Sequence, residues 1–69
     1  MLHNEIKRFR EVKGLTQERL AELVDMRQES LNRIETGKQA PQGATMLKIA
    51  KALGVTVEQV FRLKKRDAA

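Results

Sequence analysis

Three isolated glycines, Gly14, Gly37 and Gly54, each stand just past a run of apolar residues at helical spacing. Glycine takes the left-handed backbone conformation that closes a helix without strain. No helix predicted around these stops exceeds about a dozen residues, and helices that short are marginal alone in water. They become stable only by pooling their apolar faces. The pattern therefore predicts an all-α fold: a compact five-helix bundle forming one domain over residues 1–69, with its core at about 4–63 and residues 64–69 frayed.

The first helix is predicted over residues 2–13, where Leu2, Ile6 and Phe9 recur at helical spacing and Asn4 or an earlier residue caps the start. Thr16 caps the second, whose buried stripe is Leu20, Ala21 and Val24, with Leu23 falling off it. Position 19 is Arg where a reciprocal capping box needs Glu or Gln. Val24 to Arg27 must then be a turn. Asp25 suits it, because its short side chain tolerates unusual dihedrals, and Met26 would plug the turn from below. The third helix runs from about Gln28 to Thr36 with Leu31 and Ile34 inward. After a loop marked by Pro41 and Gly43, a fourth runs from about Ala44 to Leu53, with Met46, Leu47, Ile49, Ala50 and Leu53 as its apolar residues. Thr56 and Gln59 form a capping box opening a fifth, with Val57, Val60 and Phe61 packing inward. No strand pattern stands out.

The third helix carries a second feature. Gln28, Glu29, Asn32 and Arg33 form a polar row of side chains able to read base edges. The overall charge is compatible with a polyanion: 14 Lys and Arg stand against 9 Asp and Glu, a formal net charge of +5. The acidic residues are interspersed, as on a folded surface rather than a basic tail. Phe9 and Phe61 are the sole aromatics, which argues against the exposed stacking platforms used for single strands and RNA. With one Ser, one His and no Cys, no nucleophile has an evident catalytic constellation, so the chain is not read as an enzyme. His3 has no partner near it in sequence, and neither a metal site nor a cofactor is expected. No apolar run approaches the ~20 residues that span a bilayer, and with His3, Asn4 and Glu5 directly after Met1 and Leu2 no secretory leader is expected. A cytoplasmic, nucleoid-associated protein is expected, with no membrane partner and no evident small-molecule effector.

Several segments, in order, resemble the lambda-repressor and Cro type of helix-turn-helix family, also called the xenobiotic-response-element type. They are Lys13-Gly14-Leu15-Thr16-Gln17, Leu20-Ala21, Ile34-Glu35 with Gly37-Lys38, Pro41, and Lys48 through Val55. The resemblance spans roughly Ile6 to Phe61. It implies a lambda-repressor-like domain with its helix-turn-helix at helices two and three, and the third helix in the DNA major groove. It places base readers at Gln28, Glu29, Asn32 and Arg33 and backbone contacts at Gln17, Lys38 and Gln39. It also implies a partly buried salt bridge between Arg10 and Glu35. Four positions depart from the family habit: Asp25 in place of the common turn Gly, Arg27 in place of a hydroxyl cap, Gln42-Gly43 after Pro41, and Arg19 in place of a frequent acidic residue. Arg27 thereby becomes a further candidate phosphate contact.

Gln28 offers the amide pair that matches adenine N6 and N7, and Asn32, one turn on, could do the same. Glu29 can accept from cytosine N4, and Arg33 can reach guanine or a phosphate. These features, with the resemblance and the bacterial or phage type it implies, predict a sequence-specific regulator that binds double-stranded DNA, a repressor acting as a homodimer on a palindromic operator. Its dimer surface would involve helix five through Val57, Val60 and Leu63. The alternatives are an antitoxin or protein-interaction adaptor on the same bundle, and a monomeric architectural binder with little sequence discrimination.

Overall fold

The computed structural model describes residues 2–63, with side chains described over 4–61. Five helices follow one another: α1 (Ile6–Val12), α2 (Gln17–Leu23), α3 (Gln28–Glu35), α4 (Gly43–Leu53) and α5 (Val57–Val60). Two three-residue strands, β1 (Leu2–Asn4) and β2 (Phe61–Leu63), flank them and pair antiparallel, with Asn4 opposite Phe61 and Leu2 opposite Leu63. Expectations that fall on Lys64, Lys65, Arg66 and the remaining C-terminal residues lie outside the described residues.

The ladder corrects the predicted start of helix one. Leu2 has helical spacing to Ile6, yet its backbone pairs with the far end of the chain. The Glu5 N–H continues the ladder by donating to the Val60 carbonyl at 2.7 Å. Asn4 then sets the first helical turn, its Oδ1 accepting from the Ile6 N–H at 3.2 Å.

The core is pooled as the short helices require. Ile6, Leu20, Leu31, Ile34, Ile49, Leu53 and Val60 are fully buried, with Ala21, Val24, Ala50 and Phe61 beside them. Leu47 is the exception among the predicted apolar residues of α4: it is 49% exposed. Val60, predicted on a dimer surface, is wholly internal and drops out of that role.

The helix stops share one geometry. At the end of α1 the Leu15 N–H donates to the Arg10 carbonyl and the Gly14 N–H to that of Glu11. The same pair of bonds closes α2 at Asp25 and Met26, α3 at Gly37 and Lys38, and α4 at Gly54 and Val55. This is the Schellman closure, and its pivot must be left-handed. Three pivots are glycines; the fourth is Asp25, with φ of 57°. Leu15, Met26 and Val55, the residues after three of the pivots, pack on the core. Lys38, after Gly37, is exposed.

The N-cap of α1 is Glu5, which makes no side-chain cap, rather than Asn4 or an earlier residue, whereas the caps expected at Thr16 and Thr56 both form. Thr16 accepts from the Arg19 N–H at 3.0 Å, and Thr56 with Gln59 makes the full capping box. Arg27 occupies the N-cap position of α3 and makes no side-chain cap. The first amides of α3 are therefore left without the acceptor that Ser or Thr would supply.

Candidate nucleic-acid interface

α3 has two faces of opposite character. Leu31 and Ile34 are buried at 0% and 1% exposure, while Gln28, Glu29, Asn32 and Arg33 are exposed. Eight residues rise about 12 Å, similar to the width of the major groove. Arg27 precedes this helix and Lys38 and Gln39 follow it, all exposed. The Lys38 and Gln39 N–H groups both donate to the Arg33 carbonyl, at 2.8 and 3.2 Å, which binds that loop to the end of α3.

The C-terminal part of α3 is held from three directions. Glu35 takes a two-pronged bond from Arg10, with Nε to Oε2 at 2.9 Å and Nη2 to Oε1 at 3.2 Å. Arg10 Nη1 also donates to the Leu15 carbonyl at 3.0 Å, so the same guanidinium grips the α1–α2 turn. The two side chains are 12% and 5% exposed. At such burial the pair's value is positional: the intact pair adds little net stability, whereas losing one partner costs ~3–5 kcal/mol. Asn4 supplies a second hold, its Nδ2 donating to the Ile34 carbonyl at 2.8 Å, and Gln17 a third through Glu35.

Gln17, the first residue of α2, lies at the junction of this clamp and the exposed row. Its Nε2 donates to Glu35 Oε1 and to Asn32 Oδ1, both at 3.2 Å. Its Oε1 accepts from Gln28 Nε2 at 3.4 Å. Gln17, Gln28, Glu29 and Asn32 together line a concavity open to solvent. The structure thus brings three of the four predicted base readers together around Gln17. Arg33 lies outside this concavity on the same helix, and Arg27, Lys38 and Gln39 bracket it.

Sequence reasoning missed two parts of this arrangement. The sequence points to Asn4 only as a helix cap, and its bond to Ile34 has no local signal. The resemblance implies a backbone contact for Gln17, and its bonds to the predicted readers join residues with no shared periodicity.

The polar row, the left-handed turn before it and the Arg10–Glu35 clamp together define a helix-turn-helix protein of the Cro/C1 type. A family model for this helix-turn-helix matches residues 6–60, and the chain belongs to that family, one of DNA-binding transcription regulators. An uncharacterised HTH-type transcriptional regulator of Methanocaldococcus jannaschii is 37% identical over 60 residues, covering 87% of this chain and 91% of that protein. YgzD of Bacillus subtilis, also an uncharacterised HTH-type transcriptional regulator, is 33% identical over 66 residues, covering 96% of this chain and all of that one. Among solved structures, the restriction-modification controller protein C.AhdI of Aeromonas hydrophila superposes with a TM-score of 0.75 at 30% identity, over 78% of this chain and 82% of its own. The master regulator for biofilm formation SinR, solved in complex with DNA, superposes with a TM-score of 0.72 at 31% identity, over 77% of this chain and 86% of its own. No helix among the described residues is long and apolar enough to cross a membrane.

Proposed function

We propose that this chain is a sequence-specific transcriptional regulator that binds double-stranded DNA through α3 in the major groove. In this reading it acts as a homodimer on a palindromic operator, with half-sites about 34 Å apart centre to centre, and represses by blocking polymerase. The observation that carries the proposal is the exposed amide and carboxylate row on a helix whose opposite face is buried and whose far end is clamped. Gln28, Glu29, Asn32 and Arg33 meet base edges. Arg27, Lys38 and Gln39 hold phosphates on either side, and Gln17 orients the readers. Such a regulator works at the nucleoid, in the cytoplasm.

An antitoxin or adaptor role is the second reading. Val12, Leu23 and Leu47 favour it, being large apolar side chains that are 78%, 49% and 49% exposed.

Selection of bound duplexes from a random pool at physiological salt separates the two. The regulator yields a palindromic motif. Gln28→Ala then relaxes choice at one base position per half-site by ~1–3 kcal/mol, while Lys38→Ala weakens all sequences alike and lowers the salt slope by about one. Recovery of no motif from the wild-type protein would rule the regulator out.

A further inference from the structure

An amide side chain is a donor at one end and an acceptor at the other, and which end faces a partner decides what remains for a ligand. Around α3 that choice starts from a single anion. Both Glu35 oxygens accept from Arg10, at 2.9 and 3.2 Å, and a guanidinium can only donate. The carboxylate therefore accepts from Gln17 as well, and Gln17 must turn its nitrogen inward; the bond is 3.2 Å long. That nitrogen carries two hydrogens, and the second goes to Asn32 Oδ1 at 3.2 Å. With its nitrogen so placed, Gln17 turns its oxygen to Gln28 and receives one N–H from Gln28 Nε2 at 3.4 Å.

The two reading amides are left with different free ends. Gln28 keeps one N–H and its whole Oε1. Asn32 has its oxygen engaged by Gln17, and its Nδ2 hydrogens have no partner among the described residues. Beside the adenine reading already given for Gln28, we propose that the Glu35 carboxylate, acting through Gln17, fixes Asn32 with its NH2 outward, so that Asn32 selects an acceptor edge, guanine O6 and N7 or thymine O4.

The base chemistry follows from the groove pattern. Adenine presents a donor at N6 beside an acceptor at N7, which matches the N–H and oxygen left on Gln28. Guanine presents two acceptors and thymine one, which match an NH2 with both hydrogens free. Asn32 is therefore not a second adenine reader, although its residue type alone allows that. Glu29, an acceptor in the same concavity, suits the cytosine N4 donor. Gln17 is a positioning residue and Glu35 stands behind it; neither needs to touch a base.

The proposal rests on α3 entering the major groove, so its test combines a DNA readout with a DNA-free one. In the selection experiment, Asn32→Asp keeps the acceptor that Gln17 needs but turns the exposed end from donor to acceptor. The expected result is that guanine or thymine at one position per half-site gives way to cytosine by tenfold or more, with the adenine position unchanged. Gln17→Ala is expected to relax both positions together while circular dichroism and melting show a folded chain. Unchanged base choice in either variant would overturn the proposal. Without DNA, side-chain amide exchange by NMR is expected to be slower for the Gln17 NH2 than for that of Asn32. Equal exchange would also overturn it. A wild-type protein that selects no motif yet shows slow Gln17 exchange would reject the regulator, and base selection with it, while leaving the network in place.

Discussion

The two ends of α3 are built on different principles. At its start, Arg27 caps nothing and Asp25 holds the turn in a conformation that favours glycine, leaving the first amides open. At its finish, a charged clamp, the Asn4 side chain and a glycine-pivoted closure all converge. The helix takes its aim from the clamped end. Rigidity is supplied at the end away from Gln28 and Glu29, and the reading end is left with free hydrogen-bonding groups. A helix anchored in this way can present its first turn to a groove without ligand-facing groups being consumed by packing.

The largest expected break in this contrast comes from the clamp. Glu35→Ala leaves the Arg10 guanidinium buried without its partner and should lower stability by ~3–5 kcal/mol in urea unfolding. That is most of the stability expected of so small a domain. Replacing both partners with Arg10→Met and Glu35→Leu should recover most of the loss, because the desolvation cost of the charges disappears with them. If the single and double variants are equally unstable, the clamp is not what holds this end.

A smaller effect should come from Gly37→Ala. Nothing lies within 4 Å of a Cβ there, so the cost is the left-handed backbone alone, about 1–2 kcal/mol in thermal unfolding. At the opposite end, Arg27→Ser should stabilise the chain by about 1 kcal/mol through a new cap. It should also lower the salt slope of DNA binding by about one, because the phosphate contact proposed for Arg27 is lost. Stability and binding moving in opposite directions would show that the start of α3 is shaped for the ligand. Smallest of all, Asp25→Gly should raise the melting temperature slightly, by less than about 1 kcal/mol in stability. Relief of the left-handed strain there is partly offset by a freer unfolded chain.

Much of the support for α3 was legible in residue order. Leu20, Ala21, Leu31 and Ile34 announce buried stripes by their spacing, and they are buried. Gly14, Gly37 and Gly54 announce stops, and each takes a positive φ. Asp25 is a residue type that tolerates unusual dihedrals, and it takes φ of 57°. The polar row was visible as residue types, and the family resemblance pointed to Arg10 with Glu35. Which end of each amide would face outward was not visible, because that depends on the Glu35 carboxylate meeting Gln17 from another helix. Leu47 shows the same limit in the core: its residue type suits burial, but the fold leaves half of it in water.

Local chemistry thus determined the number of helices, their stops and the caps at Thr16 and Thr56, since each depends on residues within one or two turns. The tertiary structure alone decided the β1–β2 ladder, the Asn4 bond to Ile34 and the polarity running from Glu35 through Gln17 to Gln28 and Asn32. These bonds join residues far apart in the chain, and a bond between two such positions leaves no periodicity in either segment.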